Sequence, residues 1–163
     1  SILPGMPGGQ ETSFSEEIEE EANSYFKKIY SDLATIDEVV AMLKRFQASN
    51  EKREQQVYVC MVHNLFDEYR YFPKYPDKPL RTTAILFGQL VLNGLVTAIT
   101  LGMFLRCVLE AVRKQPGTKM SKFGVTALEQ FRTRLPEWPQ YCTLLLSVPH
   151  MGAIAPDLHS LAE

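Results

Sequence analysis

The stretch Glu68-Tyr69-Arg70-Tyr71-Phe72-Pro73-Lys74-Tyr75-Pro76-Asp77-Lys78-Pro79 constrains this chain more than any other. A long helical pattern runs into it and stops, because proline lacks an amide donor and pushes the residue before it out of the helical region. Tyr69 and Phe72, three apart, can close the apolar stripe of the preceding helix. Tyr75 falls between two prolines, where no regular helix forms, and its ring is expected at the surface. The corner is therefore read as a rigid connection, with antiparallel helices on both sides and a part in a binding surface.

Before the corner, Ser13 with Glu16 matches a capping box, and Glu16, Glu17, Glu19, Glu20 and Glu21 suit the positive end of a helix dipole. Phe14, Ile18, Ala22, Tyr25 and Ile29, with Phe26 and Tyr30 beside them, make an amphipathic helix with a wide aromatic edge. Thr35 and Glu38 form a second capping box ahead of Ile36, Val39, Val40, Leu43 and Phe46. The third pattern starts at Glu51 and reads Val57, Cys60, Met61, Leu65, Tyr69 and Phe72, a helix of about five turns.

After the corner, Leu80 to Leu92 is apolar nearly all round and predicts a buried helix stopped by Asn93-Gly94. Leu95 to Arg113 predicts another, with Ile99 in its buried stripe and Gly102 tolerated through the close approach of a neighbour. Met120, Phe123, Ala127, Leu128, Phe131 and Leu135 continue the pattern to Pro136, and Pro139 suits the first turn of a short helix to Val148. Pro156 to Glu163 is read as the start of a last helix. Ser1 to Thr12 has no apolar period and reads as a flexible linker; the chain opens without methionine, like a segment of something longer.

No segment alternates apolar and polar residues long enough for a strand, so the fold class is all-α. Helix pairs beginning near Ser13, Asn50, Leu95 and Trp138, roughly forty residues apart, suggest HEAT-like antiparallel helical hairpin repeats in one domain over 13–163. A formal charge of −2 argues against a chain that coats nucleic acid or an anionic membrane. No apolar run reaches the roughly 20 residues of a membrane span. Cys60, Cys107 and Cys142 sit in apolar helical patterns as small buried hydrophobes, which fits a reducing compartment, the cytosol.

Catalytic chemistry is hard to place. Cys60 and His63 share a helix face, but no second pair completes a zinc set, so no metal and no cofactor is expected. Gly5, Gly8 and Gly9 follow no strand, and no nucleophile motif is present. Arg113, Lys114, Lys119, Lys122, Arg132 and Arg134 gather around one turn and the helix after it. A solvated face is their ordinary reading; contact of Lys119, Lys122 and Arg132 with RNA phosphates is the alternative, and it requires a strong salt dependence. The aromatic edge is sharper. One amphipathic helix buries about a third to a half of its circumference against a neighbour, so some rings of Tyr25, Phe26 and Tyr30 are left for a partner unless the helix is sandwiched.

Several strings carry a family resemblance. Phe14-Ser15-Glu16-Glu17-Ile18, Glu21-Ala22-Asn23-Ser24-Tyr25-Phe26 with Ile29-Tyr30, and Asn64-Leu65-Phe66-Asp67-Glu68 running on through the corner to Lys78 resemble the largest NOT scaffold subunit of the eukaryotic CCR-NOT deadenylase complex. Leu101-Gly102, Ala111-Val112-Arg113-Lys114 and Trp138-Pro139-Gln140-Tyr141-Cys142 extend the similarity over Phe14 to Val148. The resemblance is to the tristetraprolin-binding helical-repeat domain of that scaffold, which itself resembles the middle domain of the translation-initiation scaffold. It implies a non-enzymatic platform that docks a short helical motif of an RNA-binding adaptor, and so brings deadenylases to mRNA for poly(A) shortening and translational repression. The resemblance puts Asn23, Phe26, Tyr30 and Tyr75 in the peptide groove. It implies contacts to other CCR-NOT subunits through the rest of the scaffold, RNA as a secondary partner, no membrane, and a cytoplasmic location with the nucleus as a further site. An RNA-binding helical repeat and the deadenylase-docking domain of the same scaffold are the competing readings. The connection Ser31-Asp32-Leu33-Ala34-Thr35 looks shorter than in animal relatives.

Overall fold

Local capping chemistry sets where the helices begin. In the computed structural model, which describes residues 14–150, α1 spans Glu16–Tyr30, and its cap is Ser15, whose side chain accepts from the Ile18 amide at 3.2 Å. Ser13 of the expected capping box, the linker 1–12 and the helix expected from Pro156 lie outside the described residues. The second capping box forms as read: Thr35 Oγ1 accepts from the Glu38 amide at 3.1 Å and Glu38 Oε1 from the Thr35 amide at 2.8 Å, opening α2 (Ile36–Gln47). Helix α3 spans Lys52–Asp67.

Here the structure departs from the five-turn helix expected up to Phe72. The chain tightens at Glu68 into a 3₁₀ helix, Glu68–Lys74, that carries Pro73 inside it. Pro73 has no amide to donate in either kind of helix, and the 3₁₀ segment ends one residue after it. Helix α4 (Asp77–Leu92) starts three residues before the expected Leu80, with Pro79 in its first turn, where a missing amide costs nothing. It stops at Asn93-Gly94 in a Schellman turn: Gly94 has φ 69°, its amide donates to Val91 O, and the Leu95 amide donates to Leu90 O.

Leu95 and Val96 are buried in the turn itself, and α5 runs from Ala98 to Val112. Ala98 has φ 53°, and Ile99, expected in the buried stripe, is 81% exposed. The stripe that matters begins one turn later, at Phe104. Helix α6 (Lys119–Gln130) is followed by a 3₁₀ helix, Arg132–Glu137, and by α7 (Pro139–Leu146), with proline at its first turn. Every regular element among the described residues is helical.

The chain divides into two compact units between Tyr71 and Phe72. The helix pair expected to begin near Asn50 is therefore split, with α3 in the first unit and α4 in the second. In the first unit α3 packs against both α1 and α2, burying Ile18, Ala22, Ile29, Val40, Leu43, Phe46, Val57, Met61 and Leu65. Each large side chain among these stabilises the unit by about 1.5–3 kcal/mol.

In the second unit α6 packs against α4 and α5, and α7 against the second 3₁₀ helix. Its core is aromatic. Phe87 stacks on Phe104 at 4.2 Å and meets Phe123 edge-on at 5.4 Å, and Phe72 lies 5.2 Å from Phe123. Phe72 thus belongs to this cluster, not to the stripe of α3.

Two glycines let these helices approach. A Cβ on Gly88 would lie 2.3 Å from Ala127 O, and one on Gly124 would lie 2.7 Å from Val112 N. Gly102, expected to have this role, has nothing within 4 Å of where its Cβ would stand.

Candidate functional site: one face of the first helix

Successive residues of α1 are turned by about 100°. Ile18, Ala22 and Ile29 fall within about 40° of one another and form its buried stripe. Tyr25 lies about 60° to one side of Ala22, whereas Phe26, Tyr30 and Asn23 lie about 40° to 100° to the other. Tyr25 and the other two rings of the aromatic edge, Phe26 and Tyr30, therefore have different surroundings.

Tyr25 is committed to the fold. Its ring meets Phe46 of α2 edge-on at 6.4 Å, and its hydroxyl donates to Glu21 Oε2 at 3.1 Å. Glu21 in turn is clasped by the Arg53 guanidinium of α3, which is the main reason its carboxyl is held below the usual range. On the other flank Asn23 and Phe26 are half-buried and Tyr30 is 37% exposed. This face combines a polar amide, a half-buried ring and the partly exposed Tyr30 ring over two turns of one helix.

The end of α1 adds a residue that the sequence reading passed over. The Asp32 amide donates to Ile29 O at 3.2 Å and the Leu33 amide to Lys28 O at 2.8 Å, a Schellman turn with Asp32 at φ 62°. The apolar residue at that place usually packs back on its helix, but Leu33 is 77% exposed. Its signal was available in the sequence as an apolar residue between Asp32 and Ala34, outside any periodic stripe.

Tyr75 lies in the second unit, half-buried, with its ring 5.2 Å from that of Phe72. Its amide donates to Phe72 O at 3.0 Å, and its own carbonyl accepts from Lys119 Nζ. Lys119 and Lys122 sit one turn apart at the start of α6, and both line a cleft of about 220 Å³ with Asp77, Arg81 and Phe123. Arg132 follows the far end of α6, roughly 18 Å along the axis from Lys119. Arg134, from the same basic set, is used internally. It pairs with Glu137 at 2.9 Å, donates to Val91 O at 2.6 Å and lies 4.8 Å from the Trp138 ring.

The soft side chains are inward. Cys60, Cys107 and Cys142 are buried free thiols, and burial pushes Cys60 and Cys107 up to about 12, far from a reactive thiolate. Cys60 Sγ accepts from Asn64 Nδ2 at 3.5 Å, and the His63 ring faces Phe14 edge-on at 5.9 Å. Among the described residues no three His, Cys, Asp or Glu side chains gather as a metal set.

The family model described as the CCR4-NOT transcription complex subunit 1 TTP binding domain matches residues 1–163. The general negative regulator of transcription subunit 1 of Schizosaccharomyces pombe is 40% identical over 147 residues, covering 90% of this chain and 7% of that protein. The CCR4-NOT transcription complex subunit let-711 of Caenorhabditis elegans is 39% identical over 140 residues, covering 85% of this chain and 5% of its own length. The solved N-terminal domain of yeast Not1 superposes with a TM-score of 0.87 at 32% identity, covering 98% of this chain and 32% of that one. The chain thus spans only a small part of the relatives it matches.

Proposed function

This chain belongs to the CCR4-NOT transcription complex subunit 1 TTP-binding domain family, and from that premise we propose that it is a non-enzymatic docking module for a short helical motif of RNA-binding adaptor proteins. The observation that carries this reading is a difference between two adjacent, half-buried rings on α1: Tyr25 packs on Phe46, whereas Phe26 lies on the other flank beside Tyr30, which is 37% exposed. An amphipathic adaptor helix lays its apolar residues on Phe26 and Tyr30, and the Asn23 amide gives a directional hydrogen bond to its backbone or a polar side chain. Leu33 adds apolar area at the end of the same helix. Aromatic rings suit this use because they present large contact area with few torsions to freeze.

In the whole scaffold, docking here brings deadenylases carried elsewhere on the subunit to the adaptor's mRNA, in the cytoplasm, for poly(A) shortening and translational repression. The HEAT-like character of the helices belongs to the same reading, since helical repeats present extended surfaces to peptides. Calorimetric titration of a tristetraprolin-like adaptor peptide against Phe26→Ala tests it, with Tyr75→Ala as a separate arm for the second unit. A drop in affinity of roughly tenfold or more for Phe26→Ala is expected. Unchanged binding in both variants removes the proposed site.

A further inference from the structure

Helices α4 and α6 lie side by side and run in the same direction. Gly88 faces Ala127, Gln89 Nε2 donates to Gln130 Oε1 at 2.9 Å, and Val91 O accepts from Arg134 just beyond α6. Their N-terminal ends consequently meet at one place, the cleft lined by Asp77, Leu80, Arg81, Gly117, Lys119, Lys122, Phe123 and Thr126. Three cations line it against a single carboxylate. That carboxylate, Asp77, is solvent-exposed and stands 4.0 Å from Lys119. The side chains of Arg81 and Lys122 have no hydrogen-bond or ion-pair partner among the described residues. Lys119 spends one donor on the Tyr75 carbonyl and keeps two.

We propose that this cleft binds a phosphorylated serine or threonine side chain of a partner protein. Charge fits first: the excess of cations over Asp77 matches the roughly −1.5 to −2 carried by a phosphate monoester at neutral pH. The positive ends of two helix dipoles converge at the same place and add to the cations' field. Size fits next, since about 220 Å³ is below the roughly 300–1,000 Å³ of small-molecule sites and suits one modified side chain. Leu80 and Phe123 give an apolar wall for the carbon stem, which free phosphate lacks. An RNA backbone fits poorly, because it needs a track of cations. Past Lys122, α6 carries no further cation; Arg132, just beyond its end, is roughly 18 Å along the axis from Lys119, and Arg134 is engaged with Glu137 and Val91.

The test is a nitrogen-15 NMR titration of the 163-residue chain with capped Gly-phosphoserine-Gly, using capped Gly-Ser-Gly, inorganic phosphate and a single-stranded oligoadenylate as comparisons. The phosphotripeptide is expected to shift the amides of Lys78, Leu80, Arg81 and Gly117 to Lys122 saturably, and more tightly than inorganic phosphate. Arg81→Ala and Lys122→Ala, both at exposed positions, should each weaken it roughly tenfold while leaving thermal unfolding unchanged. The proposal is overturned if these amides do not shift, if Gly-Ser-Gly or inorganic phosphate binds equally well, or if neither substitution weakens binding. Tighter binding of the oligoadenylate at the same amides overturns it in favour of a nucleic-acid surface.

Discussion

Lys119 Nζ, at the first turn of α6, donates a hydrogen bond to the backbone carbonyl of Tyr75 across 44 residues of sequence. The proline-flanked corner is therefore held from two sides, by Phe72 in the aromatic core beneath it and by a lysine from another helix. Removing the ammonium while keeping an apolar stem, as in Lys119→Met, should loosen the corner without unfolding the unit. Amide exchange at Tyr75 is expected to speed up about fivefold, the equivalent of a net contribution near 1 kcal/mol for one exposed hydrogen bond. Global stability should fall by no more than that. Exchange at Tyr75 unchanged in the variant would show that Phe72 alone fixes the corner.

The glycines separate close approach from mere tolerance. Gly124→Ala places a methyl against Val112 N and Ala111 Cβ, both of which belong to α5, so the helices must move apart at a cost of about 1–3 kcal/mol. Gly102→Ala meets nothing and should stabilise by about 0.5–1 kcal/mol through helix propensity alone. Urea unfolding of the two variants measures both, and equal effects would contradict the close packing of α5 and α6.

Acid should weaken the first unit through His63. Its pKa is lowered, chiefly by burial, although Asp67 and Glu19 pull the other way. Protonation is therefore weaker in the folded chain than in the unfolded one, whose histidine titrates near 6.5. The stability it contributes is fully present above that value and is lost as pH falls through the folded pKa. The urea midpoint is expected to fall between about pH 7 and pH 5, and less steeply in His63→Gln. Parallel slopes in the two proteins would rule His63 out as the cause.

Features built from neighbouring atoms were legible in the sequence. The Thr35–Glu38 box, the Asn93-Gly94 stop and Pro139 at a first turn use only residues within one turn of each other, so their chemistry is written locally. The 3₁₀ segment was not, because Tyr69 and Phe72, three apart, fit a period of 3.0 as well as 3.6. Which glycine permits a close approach, Gly88 and Gly124 rather than Gly102, depends on where helices cross, and no local pattern records that. Ile99 misled because it lies about 180° around α5 from Val108, on the face opposite the buried Phe104, Val108, Ala111 and Val112.

The candidate site divides along the same line. That Asn23, Phe26 and Tyr30 share a face follows from spacing alone. That Tyr25 lies on the other flank follows from the same spacing, but that it is taken up by the fold required the position of Phe46, and that Lys119 already serves Tyr75 required the tertiary fold. Leu33 was missed because an exposed apolar residue in a turn looks in sequence like any other loop residue.

The central claim is that one flank of α1, and not the helix as a whole, receives the adaptor. Calorimetric titration of the same adaptor peptide against Phe26→Ala and Tyr25→Leu compares the two flanks directly, with thermal unfolding of each variant as the control for packing. The account predicts that Phe26→Ala weakens binding roughly tenfold or more, while Tyr25→Leu, though less stable, binds within about twofold of the unaltered chain. Equal losses in the two variants, or a loss only in Tyr25→Leu, would contradict it.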